Sequence, residues 1–163
     1  MCVSKLLLVE GPTDVRAVRQ LLRLFGKAGN VALAPLAGGQ LIKPDPGVEL
    51  AELQRIAPDV LAMIDSEKTS ADRPLKTDRA GFVAACRDLH IPCLVTERRA
   101  LENYLSDRAV KKLKGSKYRA LGPFESLKEM NPHWEKTDNW LIAQEMVADE
   151  LADTDLGKFL AQL

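Results

Sequence analysis

The apolar residues of this chain come in two arrangements. Leu6-Leu7-Leu8-Val9, Val31-Ala32-Leu33-Ala34 and Val60-Leu61-Ala62-Met63-Ile64 are unbroken runs. Runs without alternation suit strands buried on both faces. They predict strands at 5–9, 31–36 and 59–64, with a fourth from Pro92 to Val95. Between them apolar residues recur at helical spacing. Val15, Val18, Leu22 and Phe25 form one such stripe, on a helix expected to begin at Asp14 with Thr13 as its cap and Pro12 just outside. Gly26 and Gly29 are expected to end it, and Gly38-Gly39 to close the second strand. A second helix is expected from Val48 to Ala57, and a third after Thr77 that buries Phe82, Ala85, Cys86 and Leu89. Alternation of strand and helix predicts an α/β fold, with a parallel sheet of about four strands and helices on both faces.

Beyond Val95 the pattern changes. A helix is expected over 100–114, followed by an irregular stretch over 115–135 broken by Gly115, Gly122, Pro123 and Pro132. A helix over 139–151 and a last turn through Phe159 complete the chain. Residues 1–114 therefore read as a core and 115–163 as a C-terminal helical extension packed on it. The polar segment 66–76, which carries Pro74, reads as a loop over the strand ends.

Composition narrows the function. At 163 residues with a formal net charge of zero, the chain is one domain or one domain with an appendage, and no global field draws it to nucleic acid or an anionic membrane. Cys2, Cys86 and Cys93 lack ligand spacing, which fits a reducing cytoplasm and a packing role for Cys86 and Cys93. With only His90 and His133, a zinc site of Cys and His is not expected. No apolar segment reaches membrane-spanning length and no signal pattern opens the chain, so a cytoplasmic protein without a membrane partner is expected.

Two of the apolar runs end in acids. Val9 is followed by Glu10-Gly11-Pro12-Thr13-Asp14, and Ile64 by Asp65-Ser66-Glu67. Carboxylates placed where parallel strands stop gather at one sheet edge, where ligands of open α/β sheets bind. Crowded there, they repel unless a hard cation or shared protons join them. Asp65 and Glu67, two apart, would face one side on an extended backbone and could chelate one Mg²⁺. Plain alternatives stand beside each: Asp14 is also a first-turn acid that favours the helix dipole, and Asp65 also opens a solvated loop.

A third segment, Glu97-Arg98-Arg99-Ala100-Leu101-Glu102-Asn103-Tyr104, follows the fourth strand. Arg98 and Arg99 could hold a phosphate; the alternative is a helix whose Leu101, Tyr104 and Leu105 enter the core. Tyr104 is not expected to be a covalent nucleophile, because it falls within an amphipathic helix. The basic sets Arg16, Arg19, Arg23, Lys27 and Lys111, Lys112, Lys114, Lys117 read as solvated faces or as phosphate-backbone contacts. Trp134 and Trp140 read as packing residues flanking Lys136, a candidate for balancing phosphate charge.

Together, Glu10-Gly-Pro-Thr-Asp14 and Asp65-Ser-Glu67 after apolar strands resemble the TOPRIM domain, shared by topoisomerases, primases, small ribosomal-RNA maturases and nucleases. Glu97-Arg-Arg-Ala-Leu-Glu-Asn-Tyr104, with Trp134-Glu-Lys136 and Asp153-Thr-Asp155-Leu-Gly-Lys-Phe-Leu160, makes the chain more narrowly similar to the TOPRIM nuclease module of the OLD (overcoming lysogenization defect) family and its antiphage-defence relatives. The resemblance implies a TOPRIM-type, Rossmann-like sheet and Mg²⁺- or Mn²⁺-dependent cleavage of DNA or RNA. By position it implies metal ligation by Glu10, Asp14, Asp65, Glu67 and Glu102, catalytic roles for Glu10, Asp65 and Lys136, and phosphate binding by Arg98 and Arg99. The implied partners are nucleic acid, an ABC-type ATPase subunit and a second copy of the chain. Two departures are visible: Glu67 stands where the family pattern has aspartate, and no Gly-x-x-x-x-Gly-Lys-Ser/Thr loop is present. The rival expectation is a non-catalytic TOPRIM-like module that binds nucleic acid or a partner protein.

Overall fold

Strands β1 (Lys5–Val9), β2 (Val31–Pro35), β3 (Val60–Ile64) and β4 (Cys93–Val95) pair in parallel, in the order β2-β1-β3-β4. The structure is a computed structural model that describes residues 5–36, 40–57 and 59–163. Six α-helices are found among those residues: α1 (Pro12–Leu24), α2 (Gly47–Ile56), α3 (Thr77–Asp88), α4 (Asp107–Lys114), α5 (Asn139–Gln144) and α6 (Asp155–Gln162). The fold is α/β, as the alternation of patterns predicts.

Strand pleating sorts the apolar runs onto two faces. Leu7, Val9, Leu61 and Met63 point to one side, where they meet Val18 and Leu21 of α1, Val110 of α4, Ile142 of α5 and Leu160 of α6. Leu8, Val60, Ala62 and Ile64 point to the other, against Leu50 of α2 and Phe82 and Cys86 of α3. The extension therefore buries its apolar face in the same core as β1 and α1. Trp134 is buried there, and its indole N–H donates to Asn139 Oδ1 at 2.9 Å.

The strand order creates the crevice. The chain moves outward from β1 to β2 through α1, then returns past β1 to β3 and continues to β4 through α3. Right-handed crossovers in opposite directions put their helices on opposite faces. The direction reverses between β1 and β3, and a sheet reversing there opens a cleft over the carboxyl ends of those two strands.

Several boundaries differ from expectation. Helix α1 starts at Pro12 with Gly11 as its cap, because proline suits the first helical position, where its missing N–H has no partner to lose. Thr77 lies inside α3, and Lys76 precedes it. The helix expected over 100–114 is two elements, a 3₁₀ turn (Leu101–Tyr104) and α4. Leu105 is extended between them, and Ser106 Oγ accepts from Ala109 N at 3.2 Å to cap α4. The helix expected over 139–151 stops at Gln144, and Ala148–Glu150 form a separate 3₁₀ turn. The expected last turn is a full helix, α6, capped by Thr154, whose Oγ1 accepts from Gly157 N at 3.0 Å. Gly38-Gly39 lies outside the described residues. Among the described residues, no helix is long and apolar enough to cross a membrane.

Candidate active site

Glu10 follows β1 and Asp65 follows β3, so both stand at the reversal point of the sheet. The Asp65 N–H donates to Glu10 Oε2 at 3.3 Å, which ties the two strand ends together. Asp65 is itself buried, and its Oδ1 accepts from Leu101 N at 2.9 Å. Asp14 joins from the first turn of α1. Its Oδ2 accepts from Gly11 N at 2.9 Å, a bond that helps to cap the start of α1. Its Oδ1 is buried with no hydrogen-bond partner among the described residues.

The fourth acid, Glu102, comes from the 3₁₀ turn after β4 and is also buried. Lys136 reaches it from the extension, with Nζ 3.3 Å from Oε1, while Oε2 is buried and has no hydrogen-bond partner among the described residues. Electrostatics shows that these groups share one field. Burial first, then the charges of Asp14, Glu10 and Glu102, push Asp65 well above the ordinary carboxylate value, with Lys136 opposing. Burial also raises Asp14, to about 6, against Lys136 and the Gly11 N–H, with Glu102 and Glu10 adding to the rise. For Lys136, burial pulls its affinity for the proton down, but Glu102, Asp65 and Asp14 together raise it above the ordinary ammonium value. Glu10, Asp14, Asp65, Glu102 and Lys136 are therefore brought together.

Glu67 is not oriented as the extended-chain expectation had it. Its φ is +53°, so the backbone turns at this residue instead of continuing the strand, and the same-side geometry with Asp65 is lost. Its N–H donates to Arg99 O at 2.8 Å, and its Oε2 lies 3.7 Å from Arg99 Nε. Arg98 is committed elsewhere: its guanidinium donates to Asn103 O at 2.7 Å and lies over the Tyr104 ring. Tyr104 O–H donates to Asp155 Oδ1 at 2.7 Å, and its burial raises the phenol further above its ordinary value. That arrangement ties the 3₁₀ turn after β4 to α6. Of the two arginines expected to hold phosphate, Arg99 lines the cavity beside the acids.

Several members of the two basic sets are engaged within the chain. Lys111, Lys112 and Lys114 pair with Asp107, Glu145 and Asp138 at 2.5–2.6 Å. Arg16 stacks over Trp140, and Arg19 donates to Ala28 O.

One site residue escaped the sequence reading. Arg79, on the buried face of α3, donates from Nη2 to Glu10 Oε1 at 2.9 Å, and its Nε is buried without a partner. The visible signal is its spacing: Arg79, Phe82 and Cys86 fall at i, i+3 and i+7 and share the buried stripe of α3. A cation on an apolar stripe needs a buried anion. Ser66 is a second omission. Its N–H donates to Thr96 Oγ1 at 3.0 Å and its Oγ to Arg98 O at 2.8 Å, and so it pins the turn after β3 to the end of β4. Asn103 fastens the loops above, donating to Gly122 O and Glu125 O and accepting from Ala100 N.

A hard divalent cation suits this donor set, which is all carboxylate oxygen, with the orphaned Asp14 Oδ1 and Glu102 Oε2 as acceptors lacking a donor. Among the described residues no three acidic, histidine or cysteine side chains already stand as a chelating group. The chain matches no family model, no curated protein and no solved structure.

Proposed function

We propose that this chain is a TOPRIM-type, divalent-metal-dependent nuclease that hydrolyses phosphodiester bonds of DNA or RNA, as a nuclease subunit or fragment of an OLD-like defence system in the cytoplasm. One observation carries the reading: Glu10 and Asp65 meet at the reversal point of a parallel sheet, with Asp14 in the helix turn after β1 and Glu102 next to Leu101, whose N–H binds Asp65. Arg79 pairs with Glu10 and Lys136 with Glu102, and crowding four carboxylates against these two cations is costly, so an excess of acids there is a signature of function. Glu10, Asp14, Asp65 and Glu102 are the residues that hold Mg²⁺ or Mn²⁺ in this reading. The chemistry supplied by the bound ion is Lewis-acid activation of water and of the phosphate.

The chain's own groups do the rest. Arg79 holds Glu10 in place, and the Leu101 N–H orients Asp65. Lys136 stays protonated through its carboxylate neighbours and meets the negative charge that develops on the phosphate. Nucleic acid is the substrate, and an ABC-type ATPase subunit and a second copy of the chain are the partners that go with this reading.

The test is incubation with plasmid, single-stranded DNA and structured RNA in Mg²⁺, Mn²⁺ or chelator, beside calorimetric titration with each ion. Cation-dependent cleavage supports the proposal; absence of divalent binding at millimolar concentration defeats it. A second reading, a non-catalytic module that binds nucleic acid or protein, is favoured by the pairing of Glu67 with Arg99 and by the open arrangement of the acids.

A further inference from the structure

The sequence from Val15 to Pro44 holds no aspartate or glutamate, although acids and basic residues balance over the whole chain. Within that stretch Arg16, Arg19 and Arg23 fall at i, i+3 and i+7 of α1 and share one face. It lies opposite the buried stripe of Ala17, Val18, Leu21 and Leu22. Arg16 and Arg23 are exposed, and Arg19 is half-buried. A neutral molecule thus presents a helix face of one sign.

The partners of these arginines leave their charge unmatched. Arg16 lies over the Trp140 ring, 4.3 Å from its centre; Arg19 donates to Ala28 O at 3.2 Å, and Arg23 to Gln20 Oε1 at 2.9 Å. Each of these partners is neutral, and none of the three arginines makes an ion pair among the described residues. By contrast, Arg108, Lys111, Lys112, Lys114 and Arg119 each meet a carboxylate at 2.5–2.8 Å. A guanidinium has five N–H donors, so a neutral contact steadies the side chain and leaves donors and charge for a ligand.

An open groove lies between α1 and α5, lined by Val15, Arg16, Arg19, Gln20 and Trp140. No exposed large apolar side chain stands on α1, so the face lacks what an interfacial helix inserts into a lipid surface. Seven residues of helix, from Arg16 to Arg23, span about 10 Å. One strand of a double helix carries a phosphate about every 3.4 Å along its axis, so about three phosphates match the three arginines. Trp140 is covered by Arg16, so the surface offers guanidinium forks to phosphates rather than a bare ring to a base. The first turn of α1 also carries Asp14, so a backbone lying along the stripe is led to the edge of the acid cluster.

We propose that the outer face of α1, with Arg16, Arg19 and Arg23, is a docking surface for the phosphate backbone of nucleic acid. The proposal rests on the nuclease reading and adds where the substrate lies beyond the cleft. Contacts to phosphate carry no base information, so binding is expected to be independent of sequence.

The test is made in chelator, which separates it from metal binding and cleavage. A labelled duplex DNA is titrated by fluorescence anisotropy over a salt series. Three phosphate contacts predict that log K falls against log salt with a slope of about −2.7 or steeper. Arg23→Gln, at an exposed position, should make the slope shallower by about 0.9, and the double variant Arg16→Gln/Arg23→Gln by about 1.8, with affinity at low salt down at least about tenfold. Arg23→Lys, which keeps the charge, should keep the slope. Lys112→Gln, the same charge change on α4, should leave it unmoved. A duplex of scrambled sequence should bind equally.

No binding of the duplex overturns the proposal, as does equal loss of slope in Arg23→Gln and Lys112→Gln. Tighter stripe-dependent binding of polyglutamate or of phosphatidylserine vesicles also overturns it, assigning the face to an acidic protein or to a membrane. Stripe-dependent DNA binding without Mn²⁺-supported cleavage keeps the surface and removes the nuclease reading. Mn²⁺-supported cleavage, with the double variant binding like wild type, keeps the nuclease reading and removes the surface.

Discussion

Asp14→Asn is expected to stabilise the metal-free protein while ending its response to divalent cations. The carboxyl group is buried and its proton affinity is raised from the ordinary 3.8 to about 6. At 1.36 kcal/mol per tenfold change in proton affinity, that corresponds to about 3 kcal/mol. The sign follows from linkage. Below pH 3.8 Asp14 is protonated whether the chain is folded or not, and burial carries no charge penalty. Between 3.8 and about 6 the unfolded chain has released the proton and the folded one has kept it, so wild-type stability falls as pH rises. Above about 6 the penalty is at its full value. Asparagine cannot ionise, so the variant should gain about 3 kcal/mol over wild type at pH 8 and almost nothing at pH 4.

The amide suits the site in other respects. Its oxygen can accept from Gly11 N, and its NH₂ takes the place of the orphaned Oδ1. For a chain of this size the gain corresponds to a rise in Tm of about 6–12 °C. The assay is thermal unfolding of both proteins from pH 4 to 8 in chelator, repeated with Mg²⁺ or Mn²⁺. Added cation should raise the wild-type Tm and leave the variant unmoved, since only a folded state that binds the ion is stabilised by it. A variant no more stable than wild type at pH 8, or a difference that does not change with pH, would refute the reasoning.

Asp65→Asn should retain the fold, gain stability in chelator as pH rises toward neutrality, and lose cleavage, because its raised proton affinity marks the same crowding; gel assays beside unfolding curves check both. Arg79→Met should leave Glu10 without its cation and cost about 2 kcal/mol, with cleavage falling more than Arg79→Lys allows; denaturant melts and rate measurements on the pair decide it. Tyr104→Phe should cost about 1 kcal/mol through the lost bond to Asp155 and leave cleavage unchanged within about twofold, a result that a nucleophilic tyrosine could not give. Glu67→Asp should weaken the contact with Arg99 without improving Mg²⁺-supported cleavage, because the backbone turn at position 67, not side-chain length, aims this carboxylate; parallel Mg²⁺ and Mn²⁺ rates test it.

Much of the architecture was legible from apolar pattern alone. Unbroken runs such as Val60–Ile64 must be covered on both sides, and stripes at helical spacing must face them, so strand, helix and two-faced parallel sheet follow from local periodicity. The acids at the ends of β1 and β3 were equally legible, because a residue after a buried strand has one place to go, the sheet edge. Tertiary structure decided what periodicity does not encode. The strand order makes the ends of β1 and β3 neighbours at the reversal point. The left-handed turn at Glu67 removed it from the side expected of it, and backbone dihedrals at a loop residue follow from its hydrogen bond to Arg99 O rather than from residue type. Arg79 reaches Glu10 across 69 positions, and Lys136 reaches Glu102 from the extension. Such charges meet because apolar burial elsewhere has already set the paths of their backbones, so the cluster is long-range even though every strand and helix that carries it is local.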